Sequence, residues 1–451
     1  MEGVILLRKN RQSRLFYGWV LVAVSAVSMA VVYSIRHSFS RFFLVMVDDF
    51  GWSRAAASGI YSVNVIGYGL MAPVAGAVAD RLGPRKVIPI GAAALGLGAV
   101  LASQGNGLWQ FYLLWLVLAL GACFTGYVPH VVSLTNWFQQ KRGAAMGLFQ
   151  VGGAVAFFAP FLTQLMITGW SWRVAYAVWG LAVLAIVAPL ALVFQRRRPQ
   201  DMGLQPDGLP TTAVQRDQAE PDPAIVDRRW AAVEWTLARA ARTRRFWAFF
   251  FGSFFMWGIG QTIVLVHQIA LMVDAGYSDV FATLVFALFG AMTLVGTLCG
   301  FLSDRIGREA TVTIAITLML TGVGMLFLVR DANQPWLLYL FAMGFGLGTG
   351  LNNATYGSAV ADVFQGKNFG VINGCMTASF GLGGALGAFL AGLIFDVWGS
   401  YNVALLSVEA SLLVAIALVW VAAPRKVRLV AGRARRAAAT PSPAASGTRA
   451  R

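Results

Sequence analysis

Charged side chains are rare within the long apolar stretches of this 451-residue chain, and the few present carry the candidate chemistry. Tyr33, Arg36 and His37 are spaced at i, i+3 and i+4, which places them on one face of a helix. A guanidinium binds a carboxylate through two parallel hydrogen bonds, and imidazole changes its charge near neutral pH. The pattern predicts a site for a small anion, with His37 as a candidate proton carrier. The alternative is that Arg36 only reaches toward the polar edge of an apolar layer.

Further polar side chains interrupt later apolar stretches. Gln261 and Gln268 are seven residues apart and share a helix face, and His267 adjoins them. Asn353 and Tyr356 have the i, i+3 spacing of a second shared face. These residues are predicted to line the same site as Arg36, and helix packing is the alternative for each.

Two more residues complete the candidate set. Tyr127 lies in the fourth long apolar stretch and is predicted to contact the solute. Glu409 is the one acidic residue well inside the last stretch, so it is a second candidate for proton coupling. A structural hydrogen bond is the alternative for Glu409.

The elements that position these residues follow from the composition. Hydrophobic residues make up 58% of the chain and charged residues 12%, about half the charged fraction of an average soluble protein. Such a chain cannot cover a water-exposed surface, which predicts an all-α integral membrane protein. No enzyme, metal-binding or cofactor motif is recognisable, so we predict a protein that is not an enzyme and has no cofactor.

A membrane-spanning helix needs about 20 mostly apolar residues. The sequence predicts twelve such helices, over residues 17–39, 54–79, 87–104, 108–135, 143–168, 170–195, 246–273, 279–303, 310–330, 334–360, 368–394 and 400–423. With an even number of spans, both termini lie on one side. Thirty of the 35 Lys and Arg residues then fall on that side, which predicts cytoplasmic termini. The five exceptions are Arg36, Arg41, Arg54, Arg173 and Arg330.

The spans divide into two halves, residues 17–195 and 246–423. A basic segment, 1–16, precedes the first half, and a basic tail over 424–451 follows the second and is predicted to be disordered and to bind anionic lipid. The linker over 196–245 is predicted to hold an amphipathic helix at 228–245, lying on the inner leaflet with Trp230 and Val233 on its apolar side.

The loop after the second span is repeated after the eighth. The matching positions are Gly76, Asp80, Arg81, Gly83 and Arg85 in the first copy, and Gly300, Asp304, Arg305, Gly307 and Arg308 in the second. Glycines at these positions suit close helix approach and a tight turn, and the charges can hold neighbouring helices. Inside-positive topology alone is the alternative, but it does not require this placement of Gly and Asp.

The repeated G-x-x-x-D-R-x-G pattern and the twelve spans resemble the major facilitator superfamily over residues 16 to 423. The resemblance implies two pseudo-symmetric six-helix halves that rock about a central site, with the two loops acting as gates.

A narrower resemblance, to the monocarboxylate transporter family and its bacterial relatives, rests on short segments. They are Tyr17-Gly18-Trp19, Arg36-His37-Ser38-Phe39, Phe42-Phe43, Phe50-Gly51-Trp52-Ser53-Arg54-Ala55, Arg244-Arg245-Phe246-Trp247, Ala361-Asp362-Val363-Phe364 and Phe369-Gly370. His37 stands where that family has a lysine late in its first helix. The family's arginine in helix 8 has no counterpart here, nor has the basic residue in helix 11 of the oxalate/formate branch.

The sequence therefore predicts a monomeric carrier of a small organic anion, a monocarboxylate, in a bacterial inner membrane. Transport is expected to proceed by alternating access, either facilitative or with proton symport. The predicted partners are the anion, protons and membrane lipids, and nucleic acid is excluded because the basic residues follow the membrane topology. Two alternatives remain: a carrier of the same fold for another solute, such as a drug exported by proton antiport, and a membrane sensor that binds solute without moving it.

Overall fold

The structure is a computed structural model that describes residues 16–138, 142–208, 225–366 and 368–430. The side chains of Asp80 and Arg142 are outside this description. The same holds for the basic segment before Phe16 and for the tail beyond Val430, so those two predictions stay untested. The regular structure of the described residues is helical, apart from one isolated bridge between Ile225 and Arg428.

In the described part of the chain, twelve long helical segments form the bundle. They are α1 (Tyr17–Phe50), α2 (Arg54–Leu82), α3 (Pro84–Ala102), α4 (Leu108–Trp137), α5 (Ala144–Gly169), α6 (Trp172–Phe194), α7 (Arg244–Asp274), α8 (Asp279–Ile306), α9 (Arg308–Leu328), α10 (Pro335–Val363), α11 (Phe369–Trp398) and α12 (Asn402–Lys426). Within the described ranges, eleven are long and apolar enough to cross a membrane. The remaining segment is α10, in which five glycines and two asparagines reduce the hydropathy. The predicted all-helical membrane fold is confirmed.

The first helix departs most from its predicted bounds. We predicted its end at residue 39, but after an irregularity at Ser38 a second helical part runs over Phe39–Phe50, and Gly51 ends it with a positive φ of 62°. The polar run around Arg36 resembled a helix end. The chain continues because Phe39, Phe42, Phe43 and Met46 form a buried stripe. Arg36 therefore lies well inside α1 and not at its end.

The two halves meet along antiparallel helix pairs. α2 packs on α11 where the backbones at Gly69 and Gly381 approach, and the Ser62 hydroxyl donates to the Ala385 carbonyl at 2.7 Å. α5 packs on α8 where the Phe157 ring covers Gly290. The site candidates on α1 and α7 lie at this interface between the halves.

We call the end of the bundle that carries the connections after α1, α3, α5, α7, α9 and α11 the distal end, and the opposite end, next to Tyr17, the proximal end. At the distal end, Arg173 at the start of α6 donates to the carbonyls of Ser103 and Gly105 after α3. At the proximal end, the Tyr17 hydroxyl donates to the Phe194 carbonyl at 2.7 Å. By the predicted topology, the distal end is extracellular.

The two repeated loops form matching turns at the proximal end. Gly83 and Gly307 connect α2 to α3 and α8 to α9 with φ of +81° and +105°, a region that strains residues with a side chain. A Cβ on Gly300 would strike Ala354 of α10, whereas one on Gly76 would make only ordinary contact with Val128. The close approach predicted for both glycines is thus found in the second half.

The linker differs from the single amphipathic helix predicted over 228–245. Two one-turn helices, Arg228–Ala231 and Leu237–Ala240, are capped by Asp227 and Thr236. The Trp230 indole N–H donates to the Val363 carbonyl at 2.8 Å, and Trp235 packs edge-on against Phe364. The linker is held against the second half of the protein by the Trp230 hydrogen bond and by the ring contact of Trp235 with Phe364.

Candidate functional site

The predicted cluster at Arg36 is built by α1, α2 and α11. The Arg36 Nε donates to the Tyr61 hydroxyl at 3.2 Å, and the guanidinium carbon lies 5.3 Å from the centre of the Tyr68 ring. From the other half, the Phe380 ring of α11 lies 5.7 Å from the same carbon. Aromatic faces stabilise a guanidinium through their quadrupoles. The cluster thus places one cation between the two halves.

The terminal nitrogens of Arg36 are available. Across the described part of the chain, neither Nη atom has a hydrogen-bond partner, and no Asp or Glu side chain forms an ion pair with this guanidinium. The flat Nη edge is the one that binds a carboxylate through two bonds. A charge inside an apolar medium without a counter-ion is unfavourable, so an anion would stabilise this arrangement.

Three other predicted residues lie in the region of Arg36. The hydroxyls of Tyr33 and Tyr68 are 3.4 Å apart, and the His37 ring stacks on Phe157 with centroids 4.1 Å apart. Tyr127 follows Gly126, where α4 is interrupted. A Cβ added to Gly126 would contact the Tyr33 ring, so this break in α4 lies beside Tyr33. The structure therefore brings Tyr33, His37 and Tyr127 to the same region as Arg36.

The candidates in the second half are more dispersed. Asn353 accepts a hydrogen bond from the Trp257 indole at 2.9 Å. Tyr356 is buried, and its hydroxyl donates to the Phe249 carbonyl at 2.5 Å, so it ties α10 to α7. Gln261 is buried at the end of a π-helical stretch, Phe254–Gln261. Glu409 lies against Gly324 of α9, between two helices that are not part of the Arg36 cluster.

A second polar cluster, which the sequence analysis did not anticipate, joins the halves at the distal end. Arg54 at the start of α2 holds the Asp274 carboxylate of α7 through two bonds, 2.6 and 2.7 Å long. Its guanidinium also donates to the Tyr401 hydroxyl at 2.7 Å and stacks on the Phe395 ring at 3.7 Å. The Asp396 carboxylate of α11 accepts from the backbone N–H groups of Arg54 and Ala55, and so caps α2.

A further ion pair reinforces this end. Arg41 of α1 pairs with Asp279 at the start of α8 at 2.9 Å, and its Nε donates to Gln164 of α5. Both cross-half ion pairs involve arginines that do not follow the positive-inside pattern. We call the set Arg41, Arg54, Asp274, Asp279, Asp396 and Tyr401 the distal lock.

His267 contacts the distal lock through Tyr401 and is not part of the Arg36 cluster. Its Nδ1 lies 3.1 Å from the Tyr401 hydroxyl and its Nε2 lies 3.0 Å from the Ala388 carbonyl. Burial raises the pKa of Tyr401, so this phenol keeps its proton; the nearby Arg54 offsets part of the effect. Gln268 is only 1% exposed, and neither atom of its amide has a partner among the described residues.

At the proximal end the repeated loops bind their own halves. Arg85 donates to the Leu192 carbonyl of α6 at 2.9 Å, and Arg308 pairs with Asp304 and with Asp362 of α10, each at 2.8 Å. Arg305 lies over the Phe301 ring, and Arg81 is exposed. No ion pair found in the described residues joins the halves at this end. Among the described residues, ion pairs therefore join the halves at the distal end, and none joins them at the proximal end.

Comparison with known proteins agrees with this architecture. A family model described as Major Facilitator Superfamily matches residues 22–356 and 271–449. The chain belongs to the major facilitator superfamily. It is therefore a multi-pass membrane transporter of a small solute and not an enzyme, as the sequence predicted.

This major facilitator protein has relatives with different named solutes. It is 26% identical over 400 residues to monocarboxylate transporter 13 of Rattus norvegicus, covering 88% of this chain and 87% of the relative. It is also 26% identical over 444 residues to a probable hexose phosphate transport protein of Chlamydia trachomatis, covering 93% of both chains. Among solved structures, the nucleoside transporter NupG superposes with a TM-score of 0.66 at 15% identity, over 90% of this chain and 100% of that one, which supports the fold.

Proposed function

We propose that this transporter carries a small monocarboxylate across the plasma membrane by alternating access and with proton symport. The membrane is a bacterial inner membrane, both termini are cytoplasmic, and the distal end faces outward. The observation that carries the proposal is the Arg36 guanidinium between the halves, with both Nη atoms unpaired and no carboxylate bound to it among the residues described.

The chemistry of the cluster favours an anion over a cation. Arginine stays protonated throughout the physiological range, so Arg36 repels a cationic solute at every working pH. A carboxylate fits the two parallel N–H groups of the Nη edge. Tyr61 and Tyr68 hold the other parts of the guanidinium, which fixes its orientation before the solute arrives.

The relatives support the same class of solute. The names of both relatives refer to transport of an anionic solute, which is a monocarboxylate in one and a hexose phosphate in the other. One arginine with neutral hydroxyls around it suits a single carboxylate, because a phosphate would leave part of its charge unpaired. We therefore favour the monocarboxylate.

Uptake of a radiolabelled short-chain monocarboxylate by proteoliposomes tests the role of Arg36. Loss of a buried charge-assisted contact costs at least about 2 kcal/mol, so we expect Arg36→Gln to lower uptake about thirtyfold or more at equal protein content. Arg36→Lys should keep part of the activity, because it keeps the charge but not the flat edge. Arg173→Gln is the matched control, since Arg173 binds loop carbonyls far from the cluster. Wild-type uptake by Arg36→Gln would refute the proposal.

The same vesicles separate the alternatives. A sensor gives no counterflow of any solute, whereas a carrier does. Export of a cationic drug that survives Arg36→Gln would favour the drug/proton antiporter. Thermal stabilisation of the purified protein by organic acids but not by neutral solutes would identify the bound class, because a ligand that prefers the folded state stabilises it.

A further inference from the structure

A continuous chain of hydrogen bonds runs from the distal surface into the second half. Asp274 accepts from Arg54, Arg54 donates to the Tyr401 oxygen, and the Tyr401 oxygen contacts His267 Nδ1. The chain ends where His267 Nε2 meets the Ala388 carbonyl at 3.0 Å. It joins α2 of the first half to three segments of the second.

The donors and acceptors fit one protonation state of the histidine. A backbone carbonyl only accepts, so Nε2 carries a proton, and the neutral ring then presents Nδ1 as an acceptor. Tyr401 donates its proton to Nδ1 and accepts from Arg54. Every group in the chain is satisfied when His267 is neutral.

We propose that His267 is a proton-binding site, and that its protonation at Nδ1 opens the distal lock. The protonated ring has two N–H donors, and Nδ1 then faces a hydroxyl that has lost its acceptor. The imidazolium and the Arg54 guanidinium also come within about 6 Å of each other across one phenol oxygen. Both effects favour separation of α2 from Tyr401, which are in contact in the locked state.

The surroundings of the ring offer little compensation for the added charge. From α1, Phe43 presents its ring edge-on at 5.1 Å, and Arg41 of that helix is bound to Asp279 of α8. From α11, Asp396 acts at longer range, but its oxygens accept from the α2 backbone. Asp274 of α7 is occupied by Arg54. The lining of the adjacent cavity from α9 and α12 is apolar, with Leu326, Ala404 and Leu405.

One nearby group, Gln268, can accept a hydrogen bond from Tyr401 once His267 is protonated. Gln268 lines the same cavity as His267 and Tyr401, and its amide oxygen has no partner in the described structure. When Nδ1 takes up a proton, the Tyr401 hydroxyl needs a new acceptor, and Gln268 Oε1 provides one. A proton from the outer medium would in this way convert the locked state into an outward-open one, whatever the chemistry of the solute.

Distances between two spin labels across the distal end test the proposal without any solute, so the result does not depend on the monocarboxylate assignment. Labels at the exposed positions Gln104 and Ala332, one in each half, are introduced after the native cysteines are replaced by serine. For the otherwise wild-type protein we expect the distance distribution to shift toward longer separations as the pH falls from about 8 to 5.

His267→Gln should abolish this shift, because a glutamine amide offers one donor and one acceptor like the neutral ring but does not take up a proton. His130→Gln is the matched histidine control, because His130 contacts the Ser25 hydroxyl at 2.9 Å and lies outside both the Arg36 cluster and the distal lock, and it should keep the shift. Tyr401→Phe removes the relay, so it should give the longer distances already at pH 8, and this second variant tests the proposal if His267→Gln does not fold. A wild-type distribution that does not change with pH, or an unchanged shift in His267→Gln, would overturn the proposal.

Discussion

Asp274→Asn is expected to shift the transporter from the distally locked state toward a state that is open at the distal end. The carboxylate binds Arg54 through two bonds, and the side chains are 13% exposed for Arg54 and 33% for Asp274. Hydrogen bonds to charged groups contribute about 1.5–3 kcal/mol, and exposed ion pairs contribute about 0–1 kcal/mol. The partial exposure of Asp274 places this pair between those ranges, at about 1–2 kcal/mol. On the proposal that opening separates Arg54 from Asp274, loss of this pair should shift the equilibrium about five- to thirtyfold.

The Gln104/Ala332 label pair measures this shift as the population ratio of the two distances at fixed pH. Asp331→Asn is the matched control: it removes the same charge from another distal loop, where Asp331 accepts only from the backbone of Asn333 in the described structure. The double variant with Arg54→Gln should show little further change, since one interaction is removed twice. Additive effects of the two substitutions, or a shift in Asp331→Asn as large as in Asp274→Asn, would refute the assignment of the lock.

Three further outcomes are expected. Substrate affinity should rise as the pH falls from about 8 to 6, and His37→Gln should flatten that response. An anion bound beside Arg36 favours the protonated His37 ring, and by linkage protonation of His37 favours binding of the anion. An identical pH dependence in His37→Gln would remove His37 as a coupling group. Asp80→Asn should slow solute exchange more than it weakens equilibrium binding, because Asp80 lies at the proximal end; the reverse pattern would contradict a gating role. Gly350→Ala should lower the thermal stability by about 1–3 kcal/mol or more, because a Cβ there meets the Thr293 carbonyl of α8, whereas Gly357→Ala in the same helix, with open space at its Cβ, should not.

The helices could be predicted from the sequence because a membrane imposes a simple requirement. Long apolar runs must be helical where no water satisfies the backbone, so most predicted bounds fall within a few residues of the observed ones. The prediction of spans uses hydropathy alone, and therefore it misplaced the end of α1. The run Arg36, His37, Ser38, Ser40 and Arg41 looked polar, although its members find partners inside the protein.

The Arg36 cluster was partly predictable because its members on α1 are neighbours in sequence. Tyr61, Tyr68 and Phe380 were missed, since which helices face Arg36 depends on how the halves pack. The distal lock was missed for the same reason: Arg54 and Asp274 are 220 residues apart. One signal was nevertheless present. Arg41 and Arg54 were among the five arginines on the outer side of the predicted topology, where a positive charge needs its own explanation.

The attachment of the linker determines where the chain can be divided. Trp137 donates to the Arg196 carbonyl, and Leu204 packs beside it, so the first part of the linker belongs with the first half. Val226 donates to the Val427 carbonyl and Trp230 to the Val363 carbonyl, so the last part belongs with the second half. A break in the peptide chain between residues 208 and 225 would leave each fragment with its own section of linker in place. The two fragments, produced together as separate polypeptides, should purify as one complex, and this result would show that the covalent connection between the halves is dispensable for assembly.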